Sequence, residues 1–358
     1  MGNRLKDRLI RQIRLDGPIP MSLFMQICLH DPVDGYYATR PGLGSDFTTA
    51  PELSQTFGEL IGAWVAHEWQ SMGKPAPFAL IEYGPGRARL MSDALRILNH
   101  TPAGEALRLH LVEASPALRA VQTETLAHAS PVFLDGPERL PDMPTMIVAN
   151  EFLDCLPARQ FAHDGDHWRE RLVGLGREGT LTLGLDANDA LTAPHDLNAS
   201  PSTTLAEVQP GLNTLVDALA AHSKRGTLMR VLLVDYGTMD TAPSDTLRAY
   251  KAGKQVDPFA APGEADLTVD VDFGRLKRLA MTAGLSVAGP VPQGAFLGAL
   301  GLQTRLDRLI RAAPDKADDL FVGAQRLVAP SEMGERFKAI CLSSPGLPDP
   351  AGFPARAG

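Results

Sequence analysis

Ala79-Leu80-Ile81-Glu82-Tyr83-Gly84-Pro85-Gly86-Arg87-Ala88-Arg89-Leu90 is the stretch whose reading decides the fold. A short apolar run ends in an acidic residue, a Gly-x-Gly follows, and Leu90, Met91, Leu95 and Leu98 then recur at helical spacing. The pattern is strand, tight turn, helix. Such a turn brings backbone close to a nucleotide, although acidic-Gly-x-Gly also occurs as a plain strand-to-helix connection.

Charge narrows the ligand. A dinucleotide fingerprint needs a third glycine so that the backbone can approach a pyrophosphate at the helix N-terminus; here that position is Arg89, and Glu82 precedes the turn. A carboxylate there repels a pyrophosphate. It suits S-adenosyl-L-methionine (SAM), which has no phosphate and presents an ammonium group, a sulfonium and a ribose.

Working outward, apolar runs at 78–81, 107–112, 132–134, 146–149 and 228–234 alternate with helical stretches. Alternation of this kind predicts βαβ units and an α/β fold with a mostly parallel, doubly wound sheet, its ligands at the carboxyl ends of the strands. Each of these runs is followed by a carboxylate or an amide. Glu113 stands where an acidic residue accepts hydrogen bonds from ribose hydroxyls, or else is a surface carboxylate. Asp135 reads an adenine amino group or caps the turn that follows it. Asn150, Glu151 and Asp154 crowd one strand end, and burying them without partners is expensive, so they imply a cationic ligand or a dense hydrogen-bond network. Asp235 adds a carboxylate at the same edge, before a sharp turn at Tyr236-Gly237.

Before the sheet, Leu5, Leu9 and Ile13 mark one face of a first helix closed by Gly17-Pro18, and a second helix stops before Asp31-Pro32. The glycine-rich loop Pro41-Gly42-Leu43-Gly44-Ser45-Asp46 leads through Thr48 and Thr49 to Pro51-Glu52, where Thr49 and Glu52 have capping-box spacing. This segment reads as a helix cap, as a lid over a cofactor, or as both. A long helix then carries Leu53, Phe57, Leu60, Ile61, Trp64 and Val65 towards Gly73. The expected organisation is a helical cap and lid loop at 1–75 and a core at 76–358, with insertions near 158–210 and 238–270. The first insertion carries a small antiparallel excursion through 159–161, 168–173 and 180–183, with polar turns at Asp164-Gly165-Asp166 and Glu178-Gly179 and a loop at 194–201. The connection from Thr246 to Thr268 shows no regular pattern and reads as functional or mobile.

Composition sets limits on function. The 358 residues carry 21% charged and 44% hydrophobic side chains with a formal net charge of -8, values of an ordinary folded protein without a broad nucleic-acid footprint. Cys28, Cys155 and Cys341 are widely separated, so neither a disulfide framework nor a structural zinc site is expected. The charged N-terminus lacks the apolar core of a signal peptide and no window approaches a membrane span, which gives the expectation of a cytoplasmic protein.

Read together, several stretches resemble the MidA-type branch of class I SAM-dependent methyltransferases. They are Gly35-Tyr36-Tyr37, Asp46-Phe47-Thr48-Thr49-Ala50-Pro51-Glu52, Phe57-Gly58-Glu59-Leu60, Gly84-Pro85-Gly86-Arg87, Val112-Glu113-Ala114-Ser115-Pro116, Asn150-Glu151-Phe152-Leu153-Asp154, Asp235-Tyr236-Gly237, Gly263-Glu264-Ala265-Asp266-Leu267-Thr268 and Gln293-Gly294-Ala295-Phe296. The resemblance implies a Rossmann-like methyltransferase fold, SAM as cofactor and methyl transfer to a protein side chain, with arginine the best guess. Mitochondrial members assist complex I assembly, so a complex I subunit is an implied partner. Cofactor contacts would come from Thr49, Glu82, Gly84, Gly86, Glu113, Asp135 and Asn150, and the catalytic carboxylates from Glu151, Asp154 and Asp235; no metal is implied. Two departures stand out. Ala88 replaces a usual glycine, and Thr238 and the segment 250–255 lack histidines common in the family. If those histidines act on the substrate, their loss implies another substrate or lower activity. The competing reading is a non-catalytic assembly factor that keeps the SAM-binding fold; an NAD-dependent oxidoreductase is disfavoured by Glu82 and Arg89.

Overall fold

The computed structural model describes residues 3–39, 49–163, 166–187, 205–241 and 245–355. The loop Pro41 to Asp46, Phe47, Thr48, the Asp164-Gly165 pair and the 194–201 loop lie outside the described residues. By its internal contacts the chain falls into two units that do not follow a boundary at residue 75. One comprises Met1–Phe47, Leu153–Asn213 and Thr241–Asp270; the other comprises Thr48–Phe152, Thr214–Asp240 and Val271–Gly358.

The second unit is built on an eight-stranded sheet. Its strands are β1 (Phe78–Tyr83), β2 (Leu107–Val112), β3 (Val132–Leu134), β4 (Thr145–Asn150), β5 (Met229–Thr238), β6 (Val271–Asp272), β7 (Ser286–Pro292) and β8 (Phe337–Ser343). The main order is β7-β8-β5-β4-β1-β2-β3, with β6 beside β5. Strands β5, β4, β1, β2 and β3 run parallel, and β8 lies antiparallel between β5 and β7. This is the mostly parallel α/β sheet expected, and its central strands are apolar because helices bury both faces of such a sheet. Two strands run past their expected ends: Glu82 lies inside β1 and Asp235 inside β5.

Helices α1 (Gln55–Ser71) and α2 (Arg89–Leu98) share a core with one face of this sheet. Strand side chains alternate between faces, and Phe78, Leu80, Leu107, Leu109, Leu111, Met146, Val148, Leu232 and Val234 all belong to that core. The two helices approach closely because a Cβ on Gly62 would stand 2.5 Å from the Ala94 carbonyl oxygen. The expected single helix from Pro51 is divided. A short helix, Ala50–Leu53, ends at the extended Ser54, whose Oγ accepts the Thr56 N–H at 3.2 Å and starts α1. Thr49 is the N-cap of the short helix but makes no side-chain cap bond, so the capping box predicted with Glu52 does not form.

In the first unit, the helices Arg4–Asp16 and Met21–His30 bury Leu5, Leu9, Ile13, Phe24, Met25 and Cys28. An antiparallel sheet contains the expected excursion as Arg159–His163, Trp168–Leu175 and Leu181–Leu185, joined by Ile19–Pro20 and Leu205–Val208. The connection read as irregular carries a small sheet of its own. Arg248–Lys251, Lys254–Val256 and Asp266–Thr268 form a three-stranded antiparallel sheet, and Ala252 and Gly253 take positive φ in its hairpin turn. These strands are only three or four residues long, too short for periodicity to register.

Candidate cofactor site at the strand ends

Strand register lines up the predicted residues. Leu134 pairs with Val112, Val112 with Tyr83, and Tyr83 with Ala149, so the next positions along are Asp135, Glu113, Gly84 and Asn150. Asn150 pairs with Val234, which sets Asp235 one step further on. Four of the strand-end residues, Asp135, Glu113, Gly84 and Asn150, therefore fall in one row across the carboxyl edge, where parallel sheets bind ligands, and Asp235 lies one step beyond it.

Alternation then selects a face. Glu82 continues the series Phe78, Leu80; Glu113 continues Leu107, Leu109, Leu111; and Asn150 continues Met146, Val148. All three share the face covered by α1 and α2. Between them the glycine turn is open to solvent at Gly84, while Gly86 is half-buried. Gly84 and Gly86 adopt φ of 64° and 54°, which glycine reaches without steric penalty. The ring of Phe152 closes on Gly84, since a Cβ there would stand 3.2 Å from Phe152 Cδ2. Ala88 also takes a left-handed conformation, φ 62°, as the N-cap of α2. The helix therefore starts where the pattern placed it, and alanine bears the strain that glycine would avoid.

Burial and pairing distinguish the acids. Glu82 is 3% exposed, its Oε2 has no partner among the described residues, and burial pushes its pKa up from 4.5 to about 8. Glu113 is half-buried; desolvation raises its pKa, against the Ser115 N–H, which donates to Oε1 at 2.8 Å, and the Gln122 amide, which donates to Oε2 at 3.0 Å. Asn150 is buried, donates from Nδ2 to Glu151 Oε1 at 3.0 Å, and leaves Oδ1 without a partner among the described residues. Glu151 has φ 53°, rare for a side chain of its size, and its Oε1 also accepts the Ala50 N–H at 3.2 Å. Asp135 is exposed, and Thr49 is half-buried.

Two of the proposed catalytic carboxylates sit differently. Asp235 is fully buried, with Oδ2 accepting the Phe152 N–H at 3.0 Å and Oδ1 the Tyr236 N–H at 2.9 Å. It braces the backbone of the strand ends. Asp154 belongs to the other unit, where it is buried and its carbonyl accepts the Val269 N–H at 3.0 Å. Its charge, with those of Asp266 and Cys155, adds to the burial that raises the Tyr37 phenol far above its ordinary pKa.

Gln122, which sequence reading passed over, is wholly buried on α3 (Pro116–Thr125) and donates to the Gly86 carbonyl at 2.7 Å as well as to Glu113. Its Oε1 is a third acceptor without a partner among the described residues. The available signal was an amide one helical turn after Leu118 on the buried face. Buried acceptors left open are costly unless a ligand supplies donors. The set fits a molecule that presents a cationic amine and hydroxyl groups.

Comparison with known proteins identifies that class of molecule. The family model described as "Putative S-adenosyl-L-methionine-dependent methyltransferase" matches residues 60–291. The protein arginine methyltransferase NDUFAF7 homolog, mitochondrial, of Caenorhabditis elegans is 35% identical, with 99% of this chain and 91% of that protein covered. The human protein arginine methyltransferase NDUFAF7, mitochondrial, is also 35% identical, over 93% of this chain and 82% of its own length. A crystal structure of a superfamily member from Burkholderia thailandensis, bound to S-adenosyl-homocysteine, superposes with a TM-score of 0.82 at 26% identity, covering 97% of this chain and 93% of that one. SAM is thus the cofactor, and the acceptor set at the strand ends fits its donors. The relatives' mitochondrial designation overturns the expectation of a cytoplasmic protein. Three widely separated cysteines outside any disulfide fit a reducing environment, which does not single out the cytoplasm. The chain belongs to the MidA-type family of class I SAM-dependent methyltransferases.

Proposed function

We propose that this enzyme methylates an arginine side chain of a protein substrate, and that the substrate is a subunit of respiratory complex I. The observation that carries the site assignment is the set of acceptors on one sheet face, Glu82, Glu113 and Asn150, beside an open glycine turn. The arginine assignment draws on the relatives' name, protein arginine methyltransferase.

When bound, SAM supplies an electrophilic methyl group on a positively charged sulfur. In our assignment Glu82 pairs with the ammonium, Gly84 and Gly86 admit the methionine part, Glu113 accepts from the ribose hydroxyls and Asp135 from the adenine amino group. Asn150 and Thr49 border the same cofactor. A guanidinium keeps its proton at any ordinary pH, so the enzyme needs a carboxylate that orients it and a dry site that aligns the nitrogen for in-line attack. Glu151 is our choice for the orienting group. Its strained backbone supports this, because such strain persists where surrounding contacts hold a side chain in one place. Asp154 is a second candidate, to be tested by itself. Asp235 serves as a brace, holding the Phe152 and Tyr236 amides.

Calorimetric titration with SAM and S-adenosyl-homocysteine tests the cofactor half: both bind, and Glu113→Ala abolishes or strongly weakens both. Methyl incorporation into arginine-containing complex I subunits tests the rest. Glu151→Gln is expected to reduce turnover by at least about tenfold, the loss of one charge-assisted hydrogen bond, with the melting temperature nearly unchanged. Near-normal methylation by that variant would sink the assignment.

A further inference from the structure

We infer that Gln122 is a positioning residue that ties the glycine turn to the ribose carboxylate, holding Glu113 ready for two vicinal hydroxyls. This rests on the reading of Glu113 as the ribose ligand. Gln122 is wholly buried on α3, in a position where an apolar side chain of similar bulk would bring no polar atom of its own into the interior. It is nevertheless an amide, and its nitrogen bridges two elements 27 residues apart in sequence: the Gly86 carbonyl at 2.7 Å and Glu113 Oε2 at 3.0 Å. Every bond that the chain supplies to this amide runs through its nitrogen, since Oε1 has no partner among the described residues.

The effect falls on Glu113. Ser115 N–H fixes Oε1 at 2.8 Å, Gln122 fixes Oε2 at 3.0 Å, and Arg119 Nε holds the Glu113 carbonyl at 2.7 Å. With one fixed donor on each oxygen, the carboxylate plane is set before any ligand arrives, and a carboxylate has about four acceptor positions, enough for both hydroxyls. Without Gln122, Oε2 loses its anchor and the carboxylate can rotate about its last torsion. Because one amide group serves both Gly86 and Glu113, a shift of the turn that receives the methionine part alters the bond that orients the ribose acceptor. Gln122 thus couples the two halves of the cofactor site.

A double-mutant cycle on the full-length protein tests this, with S-adenosyl-homocysteine affinity measured by calorimetry. Gln122→Leu is expected to weaken binding about tenfold, the worth of one charge-assisted hydrogen bond. In the Glu113→Ala background the same change is expected to have no further effect, because the group through which it acts is gone. In the unliganded protein, carbon-13 NMR of the Glu113 carboxyl is expected to show its titration moving to higher pH in Gln122→Leu, since a donor to the ionised form has been removed. Gln122→Met provides the same readings should the leucine variant not fold. A purely packing role would weaken both backgrounds equally and leave the Glu113 titration in place, and either result overturns the proposal. So does wild-type affinity in Gln122→Leu when Glu113→Ala binds poorly, a result that spares the ribose reading. Wild-type affinity in Glu113→Ala removes the ribose reading itself, and this proposal with it.

Discussion

At the amino-terminal end of β5, Arg230 meets Glu68 of α1 at 3.0 Å with both side chains almost wholly buried; at the carboxyl ends of β1 and β4, Glu82 and Asn150 are buried with oxygens that meet no donor among the described residues. The first end is densely paired. Arg230 also donates to Ser343 Oγ at 2.8 Å and the Pro348 carbonyl at 2.9 Å, and Glu68 accepts the Ala351 N–H at 2.9 Å, leaving only Arg230 Nε without a partner among the described residues. These bonds fasten the C-terminal segment to the sheet unit. The contrast separates two uses of buried polarity within one unit. Where partners come from the chain, the group serves the fold; where acceptors stay open beside a glycine turn, our assignment has a ligand complete them.

Breaking the paired end gives the largest expected effect. Glu68→Ala leaves Arg230 buried without its counter-charge and is expected to cost about 3–5 kcal/mol, read by urea denaturation, with cofactor affinity of the folded protein unchanged. If stability hardly moves, the division between fold and ligand ends fails.

Altering the open end comes next. Glu82→Gln removes a charge-assisted contact and is expected to weaken SAM binding by about 1.5–3 kcal/mol, roughly tenfold to a hundredfold. The pH dependence has a definite sign. The folded protein holds the Glu82 proton up to about pH 8, whereas the unfolded chain releases it near 4.5, so the unliganded protein loses stability as pH rises through this window. The glutamine variant should lack that slope. A cationic amine beside Glu82 expels the proton, so binding near pH 7 should release one, seen as calorimetric heats that vary with the buffer's ionisation enthalpy. Equal heats in all buffers would show that Glu82 does not face the cationic group.

The smallest effect sharpens the description of the turn. Ala88→Gly relieves a left-handed strain of about 1–2 kcal/mol, but gives up a buried methyl worth about 0.8 kcal/mol and adds about 0.4–1 kcal/mol of unfolded-chain entropy. Stability within about 1 kcal/mol of the parent is expected in thermal denaturation, with binding unaffected. A larger change in either property would mean that this departure from the family glycine reshapes the turn.

Legibility in the sequence followed the range of the forces involved. The parallel strands were readable because each is an apolar run bounded by turn residues, and the short strand at 132–134 was found because it fits the βαβ rhythm. The short strands between Arg248 and Thr268 were not, since their order comes from pairing with one another. Thr49 illustrates a correct location with a wrong bond: the spacing to Glu52 suggested a reciprocal cap, but the helix there lasts only from Ala50 to Leu53. Asp235 had the right place and an unexpected occupation, because no local pattern could announce that Phe152, 83 residues away, would send its amide to that carboxylate.

By itself the sequence determined the glycine turn, the acids around it and the α/β alternation, because these depend on residue type and on spacings of a few positions. Pairing order, strand register and the choice of sheet face were decided only by the tertiary structure. Register brings Asp135, Glu113, Gly84 and Asn150 into one row, and the two-residue alternation turns Glu82, Glu113 and Asn150 to one face. Gln122 became visible only there, since an amide on a helix acquires its meaning from the carbonyl and the carboxylate that folding brings to it.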